Sequence, residues 1–227
     1  MTLQIVDKLF KFIVFLFAIS VHESAHAWMA NLRGDPTARM LGRVTLNPIK
    51  HIDPVGTVLL PLVGMFSNFP VLGWAKPTPV DPRNFKNPVL DDILTSVVGP
   101  VSNFLLATGA LIVLVVIKLS SPLGQQIVFG IPMGQVSPEM SSVLVPACLL
   151  LYELMIINVV LGVFNLIPVP PLDGSHVLRH FLSPEVLRIY DTVGMFALMA
   201  LVFLGGGLLG KLIFPVIGIF NSILLRV

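Results

Sequence analysis

The chain has 227 residues, 55 % of them hydrophobic and 11 % charged, with a net charge of +2. An ordinary soluble domain carries about 25 % charged residues, so these values exclude a disordered chain and argue against a water-soluble globule, whose surface so few polar side chains would not cover. The basic residues are scattered, which points away from nucleic acid, and the single cysteine, Cys148, excludes an internal disulfide or a thiolate zinc cluster.

A membrane-spanning helix needs about 20 mostly apolar residues. In chain order, residues 9–29 form the first such run, and it contains His22, Glu23 and His26. Lys8, Lys11 and Ala25-His26-Ala27 give its start some likeness to a cleaved signal peptide, but the run is also long enough to span, and the span is preferred. Residues 55–69 are apolar but short, and are interrupted by Pro61 and Gly64. Residues 93–117 carry no charge, and 140–167 carry one acid, Glu153. Residues 192–209 and 212–225 are separated by a glycine-rich stretch around Lys211 that reads as a tight turn between two spans. Residues 43–46 and 73–80 read as short strands or extended loops. No stretch outside the spans is long enough for a further domain of ordinary size. The expected fold is an all-α polytopic protein of the lipid bilayer, a single domain over 1–227.

The basic residues decide how the short run is placed. If 55–69 is re-entrant, ten of the fourteen Lys and Arg fall on one side, four on the other, and the loop 120–139 is free of both. The positive-inside rule prefers that arrangement. It predicts five spans, an outside N-terminus and an inside C-terminus. His22 and His26 then face the cytoplasmic side.

The chemistry is concentrated in His22-Glu23-Ser24-Ala25-His26. On a helix, positions i and i+4 share a face, so two imidazoles so spaced can hold one Zn²⁺, with Glu23 beside them to act on water. Ionisable residues inside a span are costly and usually functional. A zinc site of this kind takes a third protein ligand. Asp173 is the best candidate, because the segment from Asn165 to Gly174 ends the third span on the same side. Its prolines and Gly174 break the helix and can aim a carboxylate back toward the histidines. Alone, Asp173 reads equally well as a helix cap. Two neutral histidines that need a partner favour the ligand. Zn²⁺ with the carboxylates of Asp173 and Glu23 makes a neutral cluster, which limits its desolvation cost. Asn165 is a candidate donor to the oxyanion of a reacting carbonyl, or an interhelical hydrogen bond; Asn103 and Asn158 read as packing. His51 reads as a satisfied loop histidine, His176 as a possible partner of Asp173, and His180 as interfacial. Glu153 is too far along its helix to be a ligand, and lines a wet cavity or bonds another span.

These residues resemble the site-2 protease family of intramembrane zinc metalloproteases, in its short branch without a PDZ or CBS domain. The likeness extends from Phe17 to about Arg179. It includes His22 to His26, Gly34-Asp35, Asn47-Pro48, His51-Ile52-Asp53-Pro54, Gly73-Trp74-Ala75-Lys76-Pro77, Gly99-Pro100 with Asn103, and Asn165 through Gly174. The resemblance implies zinc on His22, His26 and Asp173, and Glu23 as catalytic acid/base. It also implies a three-span catalytic core, placed at about 9–182, with accessory helices at about 190–227. The expected substrate is a transmembrane helix of another membrane protein, cleaved after local unwinding and pairing with the edge of 43–46 or 73–80. The expected location is a prokaryotic cell membrane. The rival readings are a metal-ion transporter using the same ligands, which would favour repeated halves that this sequence lacks, and a catalytically inactive membrane partner.

Overall fold

The computed structural model describes residues 3–66, 73–135 and 143–227. The last residues of the short apolar run, 67–69, and the expected start of the third span, 140–142, lie outside them. Among the described residues every regular element is helical. The chain opens with α1 (Leu3–Arg33) and the single turn α2 (Thr37–Met40). A π-helical turn, Pro54–Leu59, leads into the short α3 (Leu60–Phe66). Then come α4 (Pro88–Ser120), α5 (Pro122–Gly130) and α6 (Leu144–Asn165). The chain closes with α7 (Asp173–Arg179), α8 (Pro184–Phe203) and α9 (Gly206–Arg226).

Five helices are long and apolar enough to cross a membrane: α1 from Lys8, α4, α6, α8 and α9. The chain is an all-α polytopic membrane protein. The helices α1, α4 and α6 pack on one another and form the body of the fold. The dry part of its core lies away from His22. There Leu111 and Leu114 of α4 meet Met155 and Val159 of α6, together with Leu224 of α9.

Helix α5 fills a place that the sequence left as a loop. Its N-terminus is capped by the Ser121 hydroxyl, which accepts from the Gly124 N–H. It buries Ile127 and Val128 in the same cluster.

Residues 43–46 and 73–80 do not form strands. The first is pulled into a tight turn by Thr45 N–H donating to the Arg43 carbonyl, 3.0 Å. The second stays extended, with the N–H groups of Trp74 and Lys76 donating to the carbonyls of Gly56 and His51.

The glycine-rich stretch does not behave as expected. The break between α8 and α9 is only Leu204 and Gly205, and Gly206, Gly207, Gly210 and Lys211 are part of α9.

The position of the C-terminus is a further correction. Lys118, near the end of α4, donates to the carbonyls of Leu224 and Leu225 at 2.8 and 3.0 Å. Tyr152, in the first half of α6, donates to Asn221 at 3.2 Å. So α9 runs antiparallel to α6 and ends far from His22. At 1.5 Å per residue its 21 residues span about 30 Å, so it begins at the histidine-bearing end. Helix α8 also begins at that end and is followed after two residues by α9, so α8 does not cross, and four helices cross where the sequence led to an expectation of five. Tyr190 donates to the Pro168 carbonyl at 3.0 Å, and Gly194 lies against the Pro170 ring. Relative to the sequence expectation, Lys211 and Arg226 exchange ends. The ten-to-four split of basic residues is unchanged by the exchange, which is why counting charges could not detect it.

This arrangement predicts that single cysteines at Ser120 and Val227 react with a membrane-impermeant thiol reagent from the same side. A cysteine at Arg83 should react from the opposite side. Labelling of Ser120→Cys and Val227→Cys from opposite sides contradicts it.

Candidate metal centre

His22 and His26 project from one face of α1, one turn apart, with ring centroids 4.6 Å apart and planes at 80°. Both are 7 % exposed. They face α4 at Gly99, where an added Cβ would lie 2.6 Å from a carbon of each ring. Only glycine lets α4 approach the histidines this closely.

Each Nδ1 has a partner on α4. That of His22 lies 2.7 Å from the Asn103 Oδ1, and that of His26 lies 2.6 Å from the Thr95 carbonyl. Both partners are acceptors, so both Nδ1 atoms carry hydrogen. In the neutral imidazoles each Nε2 is then a bare lone pair. The two Nε2 atoms are 3.0 Å apart.

Asp173 completes the group. It is the first residue of α7, but the position before it, Leu172, is the cap, so its carboxylate is not used as one. Gly174 makes the approach possible, since a Cβ there would sit 2.6 Å from the Leu166 carbonyl carbon at the end of α6. The Asp173 Oδ2 lies 3.1 Å from His22 Nε2 and 3.4 Å from His26 Nε2. It is buried and has no hydrogen-bond donor.

With both imidazoles neutral, three acceptors converge with no hydrogen among them, an arrangement that a bound metal cation satisfies. Ligands at the corners of a tetrahedron, each about 2.0–2.1 Å from a zinc, lie about 3.3 Å from one another. The observed separations of 3.0, 3.1 and 3.4 Å match that spacing. The donor set of two imidazoles and one carboxylate fits zinc. Among the described residues no other His, Cys, Asp and Glu group comes together in this way.

Glu23 lies beside the group, with its side chain 13 % exposed. Its Oε2 accepts from the Thr78 hydroxyl at 2.7 Å and lies 3.9 Å from the Arg43 guanidinium. Arg43 is itself buried, and it donates to the carbonyls of Lys50 and Lys76. Burial pulls its guanidinium below the ordinary value, and the Glu23 carboxylate pulls it back.

The remaining polar residues have structural partners. Asn165 uses one N–H of its Nδ2 on the Leu161 carbonyl at 3.0 Å. Asn103 was read as packing, but it links His22 to Asn158, whose Oδ1 accepts from Asn103 Nδ2 at 2.8 Å. His51 is fully buried, and its Nε2 donates to the Thr45 carbonyl at 2.8 Å. Burial holds that imidazole below the usual histidine range. His180 and His176 both face Asp92 of α4, at 2.8 and 3.6 Å, and so tie α7 to α4. Glu153 lies 3.7 Å from Lys11, which joins α6 to α1.

The sequence reading missed Thr95, Thr78 and Arg43. A signal existed for Asn103, which lies one helical turn beyond Gly99 and so shares its face.

Replacing Asn103 by Leu leaves the His22 N–H and the Asn158 carbonyl unpaired. We expect zinc affinity, measured by chelator competition, to fall about 10–100-fold. Unchanged affinity would show that Asn103 does not orient the ring.

The chain matches peptidase family M50 over residues 10–204. It is 38 % identical over 174 residues to "Putative zinc metalloprotease YwhC" of Bacillus subtilis (strain 168), a match covering 77 % of this chain and 69 % of that protein. No solved structure matches. The chain is a metalloprotease that belongs to peptidase family M50, the site-2 protease family.

Proposed function

We propose that this chain is an intramembrane endopeptidase that cuts peptide bonds in or near transmembrane segments of other membrane proteins, as a step of regulated intramembrane proteolysis. It holds one zinc per chain through His22, His26 and Asp173. The observation that carries the reading is the convergence of these three acceptors inside a bundle of membrane-length helices, with Glu23 beside them.

Bound by this set, zinc supplies Lewis acidity toward water and a peptide carbonyl. Every other role falls to the chain. Glu23 takes a proton from the attacking water and delivers it to the leaving amine. The hydrogen bonds from the two Nδ1 atoms keep the rings turned with Nε2 inward. Asn165 has two N–H donors and uses one on Leu161, which leaves the other for the oxyanion of the reacting carbonyl.

A helical substrate hides its carbonyls, so it must unwind before it is cut. Residues 73–80 are the better docking edge, because 43–46 is folded into a turn. In extended backbone alternate residues point to opposite edges. Trp74 and Lys76 already bond to Gly56 and His51. The other edge presents Ala75, Pro77 and Pro79, and the two prolines have no N–H. This edge therefore offers carbonyls to the N–H groups of an unwound peptide and gives back only the Ala75 N–H.

Ten of the fourteen basic residues lie at the histidine-bearing end, which supports a cytoplasmic-facing site in a cell membrane. The chain is taken as one domain over 1–227, since Leu224 of α9 joins the same core as α4 and α6. The transporter reading has no use for a carboxylate beside the ligands.

The test is Glu23→Gln in the purified protein. It should retain parental zinc and lose at least about 10²-fold in cleavage of a transmembrane peptide. Zinc flux across vesicles by a parent that cuts no peptide would favour the transporter.

A further inference from the structure

We propose that Thr78 is a positioning residue for Glu23, and that it couples docking of the substrate peptide to the orientation of the base. The inference rests on the endopeptidase reading and deepens it.

The Thr78 hydroxyl has one proton and two acceptors in reach, both on Glu23. The carboxylate Oε2 is at 2.7 Å and the backbone carbonyl at 3.1 Å. The carboxylate is closer, and a hydrogen bond to a charged acceptor is the stronger one. With Arg43 3.9 Å away on the same oxygen, Oε2 is the held atom. Among the described residues no hydrogen bond is made to Oε1. The side chain is therefore fixed at one oxygen and open at the other, which suits a group that must take up and release a proton at one place.

The backbone that carries Thr78 is held on both sides of it. Before Thr78, the Lys76 N–H donates to His51 at 2.9 Å, and the Lys76 carbonyl accepts from Arg43. After it, the Asp81 N–H and the Asn84 side chain donate to the Asp35 carboxylate at 2.8 and 2.9 Å. Asp35 also accepts from the Thr37 hydroxyl and N–H. Burial pushes its carboxyl up, but these four bonds outweigh it and hold it below the usual carboxylate range. Residues 76–84 thus run along the end of α1, from the level of Glu23 to Asp35. Gly34 allows the close approach at the lower end, with φ of +115° and a Cβ that would meet the Asn84 oxygen at 2.8 Å.

The segment that aligns Glu23 is therefore the segment proposed to pair with substrate. Its outward edge is Ala75, Pro77 and Pro79, and Thr78 lies between the two prolines. A peptide bonded to those carbonyls fixes the backbone on either side of Thr78. The hydroxyl that already holds Glu23 thus sits on the backbone that a docked peptide would brace further. A displacement of about 1 Å in a catalytic group can cost on the order of 10²-fold in rate.

The experiment uses the full chain in detergent with a quenched-fluorescence peptide of about 20 apolar residues broken by a central Gly-Ser. Parent, Thr78→Val, Thr78→Ser and Glu23→Gln are compared for kcat, KM and zinc content. Thr78→Val keeps the shape and removes the hydroxyl, so kcat should fall about 10-fold or more with KM within about twofold and zinc unchanged. Thr78→Ser should restore kcat to within about twofold of the parent. A Val variant with parental kcat overturns the proposal. So does a raised KM with unchanged kcat, which would assign Thr78 to binding alone. Failure of Ser to rescue, or loss of zinc in either variant, would make the residue structural. If the parent does not cut the peptide, or Glu23→Gln cuts like the parent, the base itself is lost and the proposal falls with the endopeptidase reading.

Discussion

Two imidazole lone pairs 3.0 Å apart, with a carboxylate oxygen 3.1 and 3.4 Å from them, repel one another unless a positive charge lies among them. Much of the histidine-bearing end of the bundle is arranged around that requirement. Gly99 lets α4 close on the rings, and Gly174 lets α7 begin against the end of α6. Asn103 and the Thr95 carbonyl take the two Nδ1 hydrogens, which turns both Nε2 atoms toward Asp173. A low dielectric makes an unmatched polar group expensive and a matched one strong. The polar groups in α1, α4 and α6 are accordingly linked, from His22 through Asn103 to Asn158 and the Leu154 carbonyl.

The two ends of the bundle do different work. Away from the histidines, Leu114, Ile127, Met155 and Leu224 are completely buried and give α4, α5, α6 and α9 a dry core. A buried Lys118 fixes the end of α9 by meeting two carbonyls that the helix itself cannot bond. The histidine-bearing end is held mainly by polar contacts. Arg33 meets Asp91 at 2.6 Å, Asp92 meets His180, and Arg43 ties the loop to the extended segment. Contacts of that kind fix directions in space, which suits an end where a metal, a base and a peptide must be aligned.

The spans were legible because long apolar runs in α1, α4 and α6 leave few alternatives, and His22, Glu23 and His26 stood out because charge inside such a run needs a reason. Asp173 was legible through its prolines and glycine, which only make sense if the chain turns back. The path of α9 was not legible. Exchanging the ends of Lys211 and Arg226 leaves the charge split intact, and only the Lys118 and Tyr152 contacts fix the direction. Helix α5 was missed because a nine-residue amphipathic piece beside a long apolar run carries little signal of its own. Thr78 and Arg43 were missed because Glu23, which both of them meet, is distant from each in sequence, and a single Thr or Arg has no periodicity to betray it.

The central claim is that donors from α1 and α7 share one zinc. Metal content of the detergent-purified protein, compared between the parent and Asp173→Ala, tests it most directly. The account predicts one zinc per chain in the parent and a sharp loss in the variant. A folded parent that holds no zinc and cannot be loaded with it, or a variant that keeps parental zinc, would contradict it.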